Sequence, residues 1–267
     1  METKRLKNIA ILILLLVNAF LLFLLVYQDL QGKSAQRKGV DEMKRLFASE
    51  GLALLAEDVY AKESLAILSP VRKSEMETQI AEFLLGTSAA VQSEGGGIVS
   101  YTTDAGAVRF RSGGGFDAVR LVRTVEDAGE FMHGFCEKFG YRDVSGTLTD
   151  GTGSLTAIRY AMDVPIYGCT VTMTFENGVL VGAAGAYIDP DNAQEETDTS
   201  LSCMSALLRF FDHRREEGIV CSEIRSVACV YQLQSAAGSP RLLPVWVVET
   251  DTYDYFVDGV TGEISRK

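Results

Sequence analysis

Between Ile9 and Tyr27 the chain runs for about 19 residues with no formal charge and one strongly polar side chain, Asn18. A helix of that length spans about 28 Å, close to the ~30 Å hydrocarbon core of a bilayer. Only Asn18 interrupts the apolar surface, so a one-sided surface helix of a soluble core is a poor reading. A cleaved signal peptide would have a shorter apolar region and a small-x-small site after it. Here the run continues into Gln28-Asp29-Leu30-Gln31, and an uncleaved anchor is expected. Lys4, Arg5 and Lys7 precede the run, and Tyr27 closes it as an interfacial aromatic. Lys33, Arg37 and Lys38 follow at a greater distance, so residues 1–8 are expected in the cytoplasm and everything after Tyr27 outside it.

The first 27 residues hold three basic side chains and one acid, yet the whole chain is at −11. The portion beyond the anchor is therefore strongly acidic. That argues against nucleic acid and against resting on an anionic lipid surface. Five cysteines, Cys136, Cys169, Cys203, Cys221 and Cys229, form no CxxC pair, and their order assigns no disulfide. They read as small buried hydrophobes.

The expected organisation is a linker over 28–38, an N-terminal α+β domain over 39–123 and a C-terminal domain over 124–267. In the N-terminal part an amphipathic helix runs from Val40 to Leu52, with Met43, Leu46 and Phe47 inward. A short strand follows at Ser64–Leu68. A second helix spans Ser74–Leu85 with Met76, Ile80, Phe83 and Leu84 on one side. Ile98–Thr102 and Ala107–Arg111 form a hairpin bracketed by glycine triplets.

The C-terminal part reads as one unit used twice, over 124–190 and 198–267. In the first copy Thr124-x-x-Asp127 resembles a capping box. Phe131, Phe135 and Phe139 make a helical stripe, and Gly140 stops it. Strands follow at Leu155–Met162, Tyr167–Phe175 and Val179–Tyr187, with Asn177-Gly178 as the hairpin turn. Cys169, Val171, Met173 and Phe175 alternate with threonines, a half-buried pattern. In the second copy a helix covers Ser200–Arg215 with Leu201, Met204, Leu208 and Phe211 inward, and Gly218 ends it. Strands are expected at Ser222–Leu233, Val245–Thr250 and Tyr253–Val257, with a closing piece at Glu263-Ile264. The fold class is α+β, with helices layered on antiparallel meanders.

Chemistry-bearing constellations are sparse. Gly32-Lys33-Ser34 lacks the upstream glycine of a P-loop and reads as linker. Asp189, Asp191, Glu195, Glu196 and Asp198 miss the glycine and glutamate positions of a calcium loop, so they read as a solvated loop. His133 and His213 have no zinc-spaced companions, and no GxSxG elbow occurs. Tyr253, Tyr255 and Phe256 could face a ligand, but such a strand is more often half core and half cross-strand pair. No cofactor and no catalytic residue are assigned.

Two stretches carry a resemblance. The segment Pro244-Val-Trp-Val-Val-Glu-Thr through Tyr255-Phe-Val-Asp-Gly-Val-Thr-Gly-Glu-Ile264 resembles the closing hairpin of PepSY-type domains. Lys4-Arg5-x-Lys7, an apolar run and Asn18-Ala-Phe20-Leu21-Leu22 resemble the anchor of the YycI family, with Val17 where that pattern has leucine. With the paired helix-meander units, the whole chain is similar to YycI and its relative YycH. These are membrane-anchored regulators of an essential sensor histidine kinase controlling cell-wall metabolism. The resemblance implies a non-catalytic protein whose transmembrane helix contacts the kinase transmembrane helices and whose outer part associates with a YycH-like partner. On that reading Asn18 is a contact residue, since an amide in hydrocarbon gains from a bond to a second helix. Ile11, Leu14, Leu15, Leu21, Leu22 and Leu25 share its face at helical spacings. The alternative is a PepSY-like peptidase inhibitor or envelope ligand-binding module on a passive tether.

Overall fold

The computed structural model describes residues 38–56, 64–196, 200–235 and 239–267, together with Asn18 and Val59. Its described residues form an α+β structure of four helices and a large, mainly antiparallel sheet. The expected linker and anchor lie outside the described residues, apart from Asn18 and Lys38. No described helix is long and apolar enough to cross a membrane.

One layout occurs three times. Helix α2 (Ser74–Leu85) leads into strands β3 (Ala90–Gly95), β4 (Ile98–Thr103), β5 (Gly106–Phe110) and β6 (Gly115–Val119), paired as an antiparallel meander. Helix α3 (Ala128–Phe139) leads into β8 (Tyr141–Thr149), β9 (Thr152–Ala161), β10 (Val164–Glu176) and β11 (Val179–Ala186), paired in the same way. Helix α4 (Cys203–Glu217) leads into β13 (Glu223–Ser235), β14 (Pro240–Thr250), β15 (Asp254–Asp258) and β16 (Ile264–Arg266). The sequence announces the second and third units. The first is masked because β3 is exposed throughout and carries no alternation.

The first two units fuse through their last strands. β6 pairs antiparallel with β11, Phe116 opposite Gly185, which leaves β3 and β8 as outer edges. Short β7 (Arg123–Thr124) also pairs with β11. Helices α2 and α3 lie over a shared core that includes Leu84, Tyr101, Phe110, Phe135, Val171 and Phe175. The third unit joins through two parallel pairs, Ile166 with Tyr231 and Tyr167 with Gln232.

Residues expected to form a separate N-terminal domain, 39–123, are divided between these bodies. Helix α1 (residues 38–49) and β1 (Ala53–Leu54) belong to the third unit. Val40, Met43, Phe47 and Leu52 share a core with Phe210, Phe211, Ile224 and Trp246, and β1 pairs parallel with β13. Phe47 and Phe211 stack at 4.6 Å between ring centroids. Strand β2 (Leu68–Ser69) pairs with β14 and with β12 (Gln194–Glu195). Residues 74–123 pack with the second unit. Sequence distance hides this, because the apolar face of α1 is completed by residues some 160 positions away.

The helix phases need correction. On α4 the buried stripe is Cys203, Ala206, Leu207, Phe210 and Phe211, while Leu208 faces solvent. On α1 Leu46 is exposed beside buried Met43 and Phe47. On α3 Met132, Phe135, Cys136 and Phe139 are buried and Phe131 is half-buried. The helix starts three residues later than the Thr124 box implies. Asp127 is the N-cap, and its carboxylate accepts the Glu130 amide at 2.9 Å. Gly140 and Gly218 close their helices with φ of 67° and 64°, a left-handed conformation that glycine adopts without a Cβ penalty. Asn177 and Gly178, both at positive φ, make the β10–β11 turn.

Candidate functional site

Of the expected transmembrane contact face, Ile11, Leu14, Leu15, Leu21, Leu22 and Leu25 lie outside the described residues. Asn18 is described: it is helical and exposed. An exposed amide has a donor pair and an acceptor to offer a neighbour. Gly32-Lys33-Ser34 also lies outside the described residues.

The acidic segment expected to be a solvated loop is partly a set of ion pairs that pins the junction between units. Asp189 meets Lys73 at 2.8 Å. Glu196 pairs with Arg241 and accepts from Ser69 Oγ at 2.6 Å. Burial pushes the Asp189 carboxyl up, but Lys73 and the Asn192 and Asp191 N–H donors outweigh it and hold it below its usual value. The Arg241 and Ser69 hydrogen bonds lower Glu196. Beside them Arg72 forks onto buried Glu77, with Nη2 at 3.1 Å from Oε2, and donates to the Gly97 carbonyl at 2.7 Å. Among the described residues no group of three or more His, Cys, Asp or Glu side chains could hold a metal.

Cys136, Cys169, Cys221 and Cys229 are free thiols in the structure. Burial pushes Cys136 and Cys229 up to about 11 and Cys169 to about 12, so these are poor thiolates at neutral pH. His133 is exposed on α3, and His213 is half-buried on α4. The aromatic strand does not make a single ligand-facing patch. Tyr255 is buried against Phe210 at 5.1 Å, while Phe256 on the other face meets Tyr167 at 5.3 Å. Exposed Tyr253 lies under the Arg266 guanidinium, 3.6 Å from its ring centroid.

Two features went unread in the sequence. Arg159 is 7% exposed, on the core side of β9 in phase with Leu155, Ala157 and Ala161. It donates to the carbonyls of Gly140 and Tyr160, each at 2.7 Å, and of Ile188 at 3.2 Å. Its guanidinium lies over Tyr187, 5.5 Å from that ring centroid, and 6.0 Å from that of Tyr141. The arrangement ties the end of α3 to the segment leaving β11. An arginine at an inward-facing position of an alternating strand was the available signal. The second feature is a cavity of about 630 Å³, lined by Gln92, Glu94, Ser100, Thr102 and Arg109 among others. It opens on the face of the first meander away from α2. Most of its lining residues are polar, and nothing in the sequence marks them as neighbours.

Together these define an α+β protein of repeated helix-meander units with an outer polar groove. By sequence the chain matches no family model and no curated protein. Among solved structures it is similar to an uncharacterized protein from Eubacterium rectale, with a TM-score of 0.41, 11% identity, and 80% of this chain and 85% of that one covered. It is also similar to the YpeB C-terminal domain of Bacillus megaterium, with a TM-score of 0.34, 12% identity, and 74% and 98% covered.

Proposed function

We propose that the chain is a non-catalytic, membrane-anchored regulator of a two-component sensor histidine kinase that controls cell-wall metabolism. Its anchor would pack on the kinase transmembrane helices through Asn18 and the leucines that share its face. Its outer domain would associate with a YycH-like accessory protein. The observation that carries this reading is Asn18, helical and exposed near the centre of an uncharged run. In hydrocarbon such an amide has no water to bond, and pairing with a second helix relieves it. Regulation then requires that the chain bind the active and inactive kinase differently. A differential of ~1.4 kcal/mol shifts that equilibrium about tenfold.

The groove on the first meander favours a second reading, in which the outer domain binds a peptidase or envelope ligand and the anchor is a passive tether. Exchanging residues 9–27 for an unrelated apolar helix separates the two. A tether keeps its function after the exchange. The signalling helix loses kinase control while the outer domain remains folded and displayed.

A further inference from the structure

We propose that the free edge of β3 is a strand-addition site that takes an extended, neutral or basic segment of a partner polypeptide with alternating apolar and polar side chains. The site is separate from the membrane helix and does not depend on the identity of the kinase.

The fold makes two sheet edges equivalent. The first and second units share one layout and join through their last strands, so their first strands, β3 and β8, lie at the outer edges. β8 is guarded. Its register shifts between Arg142 and Ser145, with Asp143 and Gly146 at positive φ, so the strand bends away from straight pairing. Asp143 is held by the Tyr160 hydroxyl, and Arg142 pairs with Asp163 at 2.9 Å. Bulges and charges of this kind are what keep a sheet edge from accepting another strand.

β3 has none of these guards over its first four residues. Ala90, Val91, Gln92 and Ser93 pair in unbroken register with Thr102, Tyr101, Ser100 and Val99. The register shifts only after Ser93. All six residues of the strand are exposed, and among the described residues β3 pairs with β4 alone. It contains no lysine, arginine or proline. Its one charge, Glu94, lies past the regular stretch and is 3.5 Å from Arg109.

The two faces beside this edge differ, and the difference describes the occupant. Val91 lies opposite buried Tyr101 on the helix side of the sheet and is 60% exposed. A neighbouring apolar side chain would cover it. Gln92 lies opposite Ser100 on the other side, where it lines the 630 Å³ cavity with Glu94, Thr102 and Arg109. Alternate polar side chains of an added strand would enter there. Backbone bonds would supply affinity and the two faces specificity, as in other strand-addition complexes. A second copy of this chain is a poorer occupant. Each copy carries a net charge of −11, so two copies repel.

The test uses the full chain in detergent micelles and a fluorescent probe peptide containing the β4 sequence, Ile98–Thr103, between lysines. β4 already pairs with the inner side of β3. The expected result is saturable binding, with amide exchange over 90–95 slowed by at least about tenfold. A probe with proline at its centre should not bind. Val91→Lys adds a charge at an exposed edge position, and should weaken binding at least about fivefold with an unchanged circular dichroism spectrum. Val122→Lys, exposed elsewhere, should bind as the wild type does. Absence of saturable binding overturns the proposal, as does equal binding by Val91→Lys or protection outside 90–95. Protection that appears without the peptide and rises with protein concentration would assign the edge to a second copy and overturn it as well.

Discussion

Phe83 of α2 meets Phe135 of α3 edge to face, with ring centroids 5.5 Å apart and planes at 73°. The same ring touches Phe131 and Phe139 at 5.0 and 5.8 Å. One side chain of the first unit is thus clasped by the whole phenylalanine stripe of the second. Phe83→Ala should therefore loosen the seam between the units. A fully enclosed phenylalanine costs about 3–5 kcal/mol on truncation, and this half-buried one should cost about 2–3 kcal/mol. Urea unfolding of residues 38–267 reads the loss. A change below about 0.5 kcal/mol, typical of an unconstrained surface site, would contradict the clasp.

Arg159→Ala should destabilise through unpaired acceptors. It removes a donor from the carbonyls of Gly140, Tyr160 and Ile188, of which Gly140 keeps the Tyr160 amide at 3.2 Å. Buried unsatisfied groups cost about 1–3 kcal/mol each, and partial rescue by water should leave a net loss of about 3 kcal/mol. Lysine keeps the charge but cannot fork onto three carbonyls, so Arg159→Lys should recover only part of this. Gly140→Ala should also destabilise, because its Cβ would stand within the guanidinium and φ is 67°. Recovery of wild-type stability by Arg159→Lys would show that charge alone matters there.

Stability should fall away on both sides of a plateau. Asp189 and Glu196 are depressed below 3.8 and 4.5, so the folded state favours their ionised forms. Their contribution is present above those values and is lost as the pH falls through the depressed ones. Cys169 is raised from 9.0 to about 12 and Cys136 to about 11, so folding disfavours their thiolates. That contribution is present below pH 9 and is lost as the pH rises toward 12. Urea midpoints measured across pH should show both limbs, and Glu196→Gln should make the acid limb shallower. An unchanged acid limb in that variant would remove Glu196 from the account.

The legible parts of this fold were those with local periodicity and local stops. β10 announces itself by strict alternation from Cys169 to Phe175, and Gly140 and Gly218 mark their helix ends correctly. What stayed hidden depends on distant partners. Helix α1 looks like part of an N-terminal domain until Phe47 is seen on Phe211. The phase of α4 was misread because Leu208 is as apolar as Leu207, and only the underlying sheet decides which is covered. β8 and β3 lack alternation because edge strands face water on more than one side, and with them the first helix-meander unit went unread. The groove shares that cause, since its walls come from β3, β4 and β5, whose polar residues become neighbours only on pairing.

Asn18→Leu probes the proposed membrane helix. Leucine removes the hydrogen-bonding amide and keeps the helix compatible with hydrocarbon. Phe23→Leu, on a different face, is the control. The measurement is crosslinking of the full-length chain to the sensor kinase in membranes at matched expression. An interhelical bond is worth ~0.6–1.7 kcal/mol, so Asn18→Leu should lower the crosslinked fraction roughly a few-fold, while Phe23→Leu changes little. Equal crosslinking by the wild type and Asn18→Leu would contradict the claim that this face binds the kinase.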